Sequence, residues 1–343
     1  MTPINNSRIT WVDSMKAFSI MAVVLYHTPI VPEIKTLSYL VCLPAFFFVS
    51  GLFTNTKISP KEFFLKKTLR LLIPYIIWGL STWFFWFFGS SRYGSSVENN
   101  IEWWNPLLGL LCGKGEMLTQ NTPLWFLCCM ISLEWIYFFI RRIPKQWLRW
   151  IIIACLSIIG CIASHKGQNW VWEISAALII LPIYSIGAEY HRFFKENLNT
   201  LNSFILISIL VMSSLGIWIG YLYNNDIKLY VSVIGNPILY YLTAISAIGL
   251  LFSTSLLIEK VHSHLMPLIQ CIGQNTLLIL CAHIPTFSII KGIAFICAIP
   301  LTFFDSTIGC LVLWICTFFI LVPLSSLVNR YCPILLGKIN IPL

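Results

Sequence analysis

The sequence predicts an all-α integral membrane bundle, and three observations carry that expectation. Apolar residues make up 58% of the 343 residues and charged residues only 10%, with a mean hydropathy of +0.82. The apolar residues fall into runs of span length, and no polar block is long enough for a separate soluble domain. Lys and Arg gather in alternate connections between those runs. A water-soluble domain carries about a quarter charged residues because its surface must be hydrated. Here there is too little polar surface to cover a globule, so lipid must cover it. One transmembrane domain over 1–343 is expected.

Taken in order, the apolar runs cover residues 11–28, 37–53, 69–89, 124–140, 150–164, 171–190, 203–223, 233–258, 268–290 and 307–328. Each is close to the roughly 20 residues that cross a bilayer core, which predicts about 10 transmembrane helices. The apolar stretch 292–304 is short and contains Pro300, so it is expected as a re-entrant or interfacial piece. The segment 90–122 carries Trp103 and Trp104, and Trp pairs favour the headgroup region.

Basic loops stay cytoplasmic. With both termini placed inside, that side receives Arg8, the cluster from Lys57 to Arg70, the cluster from Arg141 to Arg149, and then Arg192, Lys195, Lys260, Arg330 and Lys338. The other side receives Lys35, Arg92, Lys114, Lys166, Lys228 and Lys291. The net charge of +9 thus reflects topology and implies no nucleic-acid partner. Asp13 and Lys16 sit at the start of the first apolar run, and no small-x-small site follows His27 before Pro29 and Pro32, which argues against a cleaved signal peptide. Of the 12 cysteines most lie in spans, none at zinc-like spacing with His. They read as small packing residues, and no metal site is expected.

The first run is the informative one. Asp13 and Lys16 are followed, after ten residues, by His27. Ionisable groups inside a span cost about 2.5–3.5 kcal/mol each on insertion scales and are usually kept for function. Eleven residues make about three helical turns, so Lys16 and His27 share one face about 16 Å apart along the axis. A long ligand can lie along that face with phosphates at Lys16 and its reactive end at His27, and a pantetheine arm has about that length. The plainer alternative is that Lys16 snorkels to the headgroups and His27 meets interfacial water. Asp13, three residues before Lys16, is placed to pair with it and lower its burial cost.

This basic-x10-His pattern resembles the acyltransferase-3 family of membrane O-acyltransferases. Further stretches resemble that family in the right order: FFFVSG at 46–51, KKTLRLLIP at 66–74, PLWFL at 123–127 and GQNTLLILCAH at 273–283. Two positions depart from the pattern. Lys16 stands where Arg is more common, keeping the charge but losing bidentate phosphate geometry, and Leu280 stands where an aromatic residue is frequent. The extracytoplasmic hydrolase-like domain of longer relatives is not expected within 1–343, which reads as the membrane module alone.

The resemblance implies an acetyl-type group moved from cytoplasmic acetyl-CoA to a hydroxyl of an envelope or secreted glycan, in a bacterial inner membrane. Counting 1.5 Å per residue along each span sorts the candidates into two levels. Asp13, Lys16, Ser50 and Arg70 fall near the inner surface, and His27, His283, Glu173 and Trp125 near the outer one. Lys16 and Arg70 are expected to anchor donor phosphates, with Asp13, Ser50 and Trp125 completing the donor site. His27 is expected as general base on the acceptor hydroxyl or as transient acyl carrier, with Glu173 or His283 orienting it. Glu134 is expected to make a structural hydrogen bond, and Glu189 and His191 to form a solvated cap. The expected partners are the acyl-CoA donor, the glycan acceptor and membrane lipids. The rival reading is a transporter, which predicts inverted repeats with helices broken at matching positions; no such correspondence is visible. A scaffold role in a glycan pathway would leave Lys16 and His27 replaceable.

Overall fold

The computed structural model describes residues 9–55, 57–89, 102–196, 201–261 and 264–338. Among them there is no strand, only one isolated bridge between Lys228 and Val233, as expected where lipid forces every backbone group to be satisfied within its own segment. In chain order the helices are α1 (Thr10–Tyr26), α2 (Pro32–Cys42), α3 (Pro44–Leu52), α4 (Pro60–Phe63), α5 (Leu69–Phe88), α6 (Asn105–Cys112), α7 (Trp125–Ile140) and α8 (Gln146–His165). They continue with α9 (Ile174–Glu189), α10 (His191–Glu196), α11 (Ser203–Tyr223), α12 (Pro237–Lys260), α13 (Met266–Gln274), α14 (Thr276–Ile296) and α15 (Thr307–Tyr331).

Nine helical stretches among the described residues are long and apolar enough to cross a membrane; α2 with α3, and α4 with α5, each act as one. The tenth run is α1, whose 17 residues rise only about 26 Å. It lies at the centre, against α2, α12, α13 and α14. Lipid-facing helices are recognisable by what they leave bare. On α11, Phe204, Ile207, Val211 and Met212 are exposed, and on α15 so are Ile308, Ile315 and Phe319.

Close helix crossings are made by small residues, since apolar surfaces gain little by leaving lipid for each other and tight backbone approach supplies the packing energy. Gly216 and Gly220 of α11, four apart, receive Ser246 and Thr243 of α12. The crossing of α3 and α9 is reciprocal. A Cβ on Gly51 would lie 2.1 Å from the Tyr184 carbonyl oxygen, and one on Gly187 2.2 Å from that of Phe48. Gly273 of α13 meets α1 still more closely, its Cβ position 1.8 Å from the Asp13 carbonyl oxygen. The glycines in the FFFVSG and GQNT stretches therefore act in packing.

Two expectations about the chain path are corrected. The run 268–290 is two helices broken at Asn275, where Asn275 Nδ2 donates to the Cys271 carbonyl at 2.7 Å and Asn329 Nδ2 donates to Asn275 Oδ1 at 2.9 Å. The stretch 292–304 is not a separate piece: it begins as the last turn of α14 and ends in a 3-10 turn, Leu301–Asp305. The apolar run stops at 290 because Lys291 interrupts it, whereas the helix continues past that charge to Ile296.

The basic connections meet at one end of the bundle. Arg149 gives Glu189 a bidentate pair, Nε to Oε1 at 2.7 Å and Nη2 to Oε2 at 2.8 Å. Tyr137 donates to the same carboxylate at 3.1 Å, and the Glu189 side chain is 2% exposed. The solvated cap expected for Glu189 is thus replaced by a buried clasp joining α7, α8 and α9. His191 Nδ1 lies 3.1 Å from the Ala188 carbonyl oxygen.

Candidate active site

Two cavities lie end to end beside α1. The first, about 300 Å³, opens among Lys16, Ser50, Lys67, Arg70 and Glu134. The second, about 210 Å³, is lined by His27, Lys35, Tyr26, Tyr39, Thr122, Trp125 and Tyr230 among others. Val23, Leu43, Phe126 and Leu280 line both. From α1 and its C-cap, Lys16, Val23 and His27, spaced by seven and four, fall on one helical face, with Tyr26 beside it. On α7, Phe126, Met130 and Glu134 are four apart, flanked by Trp125 and Leu127. Leu280, the departure from the family pattern, belongs to the apolar collar where the cavities meet.

The inner cavity carries three cations. Lys16 Nζ is 2.8 Å from Asp13 Oδ1, and Gln274 Nε2 donates to Asp13 Oδ2 at 3.5 Å. Asp13 is buried and lies outside the cavity lining, so it supports Lys16 without reaching the cavity itself. Lys66 and Lys67 fall on a π-helical turn, Phe64–Thr68, leading into α5. Lys66 turns back to Glu62 at 2.5 Å, while Lys67 lies 3.7 Å from Glu134. Arg70 is exposed at the mouth and has no acidic group within ion-pairing distance among the described residues. The structural hydrogen bond expected of Glu134 is instead an ion pair in the cavity wall. Lys67 was quoted only as part of a basic stretch; the π-turn that aims it inward has no single-sequence signature.

His27 lines the outer cavity, and His283 packs behind it outside the lining, the two ring centres 5.1 Å apart with planes at 49°. His283 is fully buried. Its Nδ1 lies 2.8 Å from the Ile279 carbonyl oxygen, so Nδ1 carries the proton and Nε2 keeps its lone pair. That Nε2 is buried with no partner among the described residues. Two residues on, Pro285 cannot donate to the Cys281 carbonyl, and Asn121 Nδ2 does so at 2.8 Å. This bond pins the loop before α7 to the segment carrying His283. Trp125 lines the outer cavity and not the donor-side one, so its place differs from the donor-binding one expected.

Glu173 is not brought to His27. Its Oε1 accepts from Gly115 N–H at 2.7 Å and from Asn169 Nδ2 at 3.5 Å. Residues Trp172 and Glu173 both take left-handed backbone, φ 55° and 54°, a conformation that costs non-glycine residues energy. Asn169 Nδ2 also donates to the Tyr230 carbonyl at 3.2 Å, and Tyr39 OH accepts from Leu229 N–H at 2.5 Å. Glu173 therefore fastens the loops around 115 and 170, and Asn169 ties them to Tyr230, which lines the outer cavity. No group of three or more metal-ligating side chains occurs among the described residues.

The described residues thus form a helical bundle with two adjoining cavities, one lined by Lys16, Lys67 and Arg70 and the other by His27. A family model described as an acyltransferase domain matches residues 9–330, and the chain belongs to that acyltransferase-3 family, a membrane acyltransferase. No curated protein and no solved structure matches the chain.

Proposed function

We propose that the protein takes an acetyl group from acetyl-CoA on the cytoplasmic side of a bacterial inner membrane and esterifies a hydroxyl of an envelope or secreted glycan on the other side. The observation that carries this reading is the pair of cavities that share a collar beside α1, with Lys16, Lys67 and Arg70 lining one and His27, backed by the buried His283, lining the other. The excess of Lys and Arg at the first end supports its facing the cytoplasm, where acyl-CoA is found. Nucleotide phosphates sit among the three cations, and the pantetheine arm runs past Val23, Leu43, Phe126 and Leu280. About 16 Å of helix between Lys16 and His27 suits that arm.

At the far end the acceptor hydroxyl gives its proton to His27. Its oxygen forms the new ester bond to the acyl carbon, the carbon–sulfur bond breaks, and the leaving thiolate takes the proton back from the imidazolium. His283, its tautomer held by the Ile279 carbonyl, keeps an acceptor nitrogen beside the His27 ring and favours the imidazolium that forms. Purified protein in lipid, given labelled acetyl-CoA and a glycan acceptor, is expected to label the glycan, and His27→Ala is expected not to. Movement of a solute into liposomes without any labelled product would establish the transporter reading instead.

A further inference from the structure

We infer that the acceptor is anionic, and that Lys35 in the outer cavity recognises a carboxylate or phosphate carried by the acceptor sugar; this rests on the reading of that cavity as the acceptor site. Lys35 lies in the first turn of α2, where the helix dipole disfavours a cation. Helix stability therefore does not explain it. Its ammonium lies 5.4 Å from the Tyr26 ring centre and lines the cavity with His27. No carboxylate lies within ion-pairing distance of it among the described residues, and it is only partly exposed.

The composition of the walls points the same way. Neutral sugars are commonly gripped by carboxylates that accept from their hydroxyls, and among the described residues no acidic side chain lines this cavity. Glu173, the nearest candidate by depth, is turned away to Gly115. Asp226 is exposed and paired with Lys228 at 2.8 Å. Among the described residues the cavity offers one ammonium, a histidine, the Thr122 hydroxyl and the rings of Tyr26, Tyr39, Trp125 and Tyr230. Aromatic faces take the apolar face of a sugar ring, and the unpaired ammonium needs an anion. With a charge at Lys35 and a hydroxyl at His27, the acceptor is fixed at two points, which sets which hydroxyl faces the base.

The test measures binding and transfer separately on the whole protein in lipid nanodiscs. The probes are a hexuronate-bearing oligosaccharide, its carboxyl-reduced neutral counterpart and a phosphorylated counterpart. Wild type is expected to bind the two anionic probes at least about tenfold more tightly than the neutral one, the size of one charge-assisted contact. Lys35→Gln is expected to erase that preference and Lys35→Arg to keep it, with melting temperatures confirming that each variant folds. Preference for only one anionic probe identifies the group recognised. Equal binding of all three probes, or binding of none, overturns the inference, as does a preference that survives Lys35→Gln. Equal acetylation of neutral and charged probes sinks the inference but leaves the proposed reaction standing. Anion-selective binding without transfer from acetyl-CoA sinks the reaction and leaves the inference.

Discussion

The imidazole of His283 stands with its ring centre 5.1 Å from that of His27, and the two residues come from helices more than 250 positions apart in the chain. Nδ1 of His283 is committed to the Ile279 carbonyl, whereas neither nitrogen of His27 has a hydrogen-bond partner among the described residues. One imidazole is fixed and the other is available.

That asymmetry predicts the order of effects. His27→Ala is expected to lower the transfer rate by roughly 10²–10⁴-fold, the usual weight of a general base, while acetyl-CoA still binds. His283→Ala should cost less, and the double variant should be no worse than His27→Ala alone, because residues acting as a unit are not additive. Single-turnover transfer with a parallel donor-binding assay checks this; additive losses would show that the two imidazoles act independently.

At the other end, the cations differ in what holds them. Lys16→Ala is expected to weaken acetyl-CoA binding about tenfold by removing a charge-assisted contact. Glu134→Gln should do the reverse, tightening it about two- to fivefold, because the carboxylate 3.7 Å from Lys67 competes with donor phosphate. Binding isotherms with dephosphorylated and intact CoA would separate the two effects. Looser binding in Glu134→Gln would mean that the carboxylate positions Lys67 for the donor.

The buried clasp between α8 and α9 is a stability prediction. Glu189→Ala leaves Arg149, whose side chain is 5% exposed, without its carboxylate and is expected to cost about 3–5 kcal/mol. Replacing both partners by apolar residues of similar volume should recover most of the loss. Thermal unfolding in one detergent, across the two single variants and the double, reads this directly.

Glycine crossings give a second. Gly51→Ala puts a methyl group 2.1 Å from the Tyr184 carbonyl oxygen, and Gly273→Ala puts one 1.8 Å from that of Asp13. Backbone lies on both sides of each contact, so the helices must part, at a cost of about 1–3 kcal/mol. Gly273→Ala should also raise the KM for donor, since the displaced helix carries Lys16. Gly167, with open space around it, serves as the control for added bulk, although its φ of +63° makes Gly167→Asn the fairer substitution.

The bundle and its most informative face were legible in the sequence for definite reasons. Lys16 and His27 lie on one helix, so their spacing alone sets their relative direction. Counting residues along the spans groups Arg70 and Ser50 with Lys16, whose cavity they line, and His283 with His27, which it packs against. Contacts between helices were not legible, because they depend on how each helix is rotated about its axis. Hence Glu189 read as a surface cap until Arg149 was seen against it, and Glu134 had no partner until the π-turn brought Lys67 round. Glu173 shared a depth with His27 without facing it. Lys35 and Tyr39 read as loop and span residues, since only the folded loop around Leu229 reveals the chamber they line.

The collar of Val23, Leu43, Phe126 and Leu280 has a consequence for the membrane as an insulator. A hydrated ion drawn into either chamber must strip its water to slip past four hydrocarbon side chains, and constrictions of that kind dewet and block conduction. A thin, uncharged thread is under no such penalty. The protein can thus be hollow from both faces and still hold a voltage.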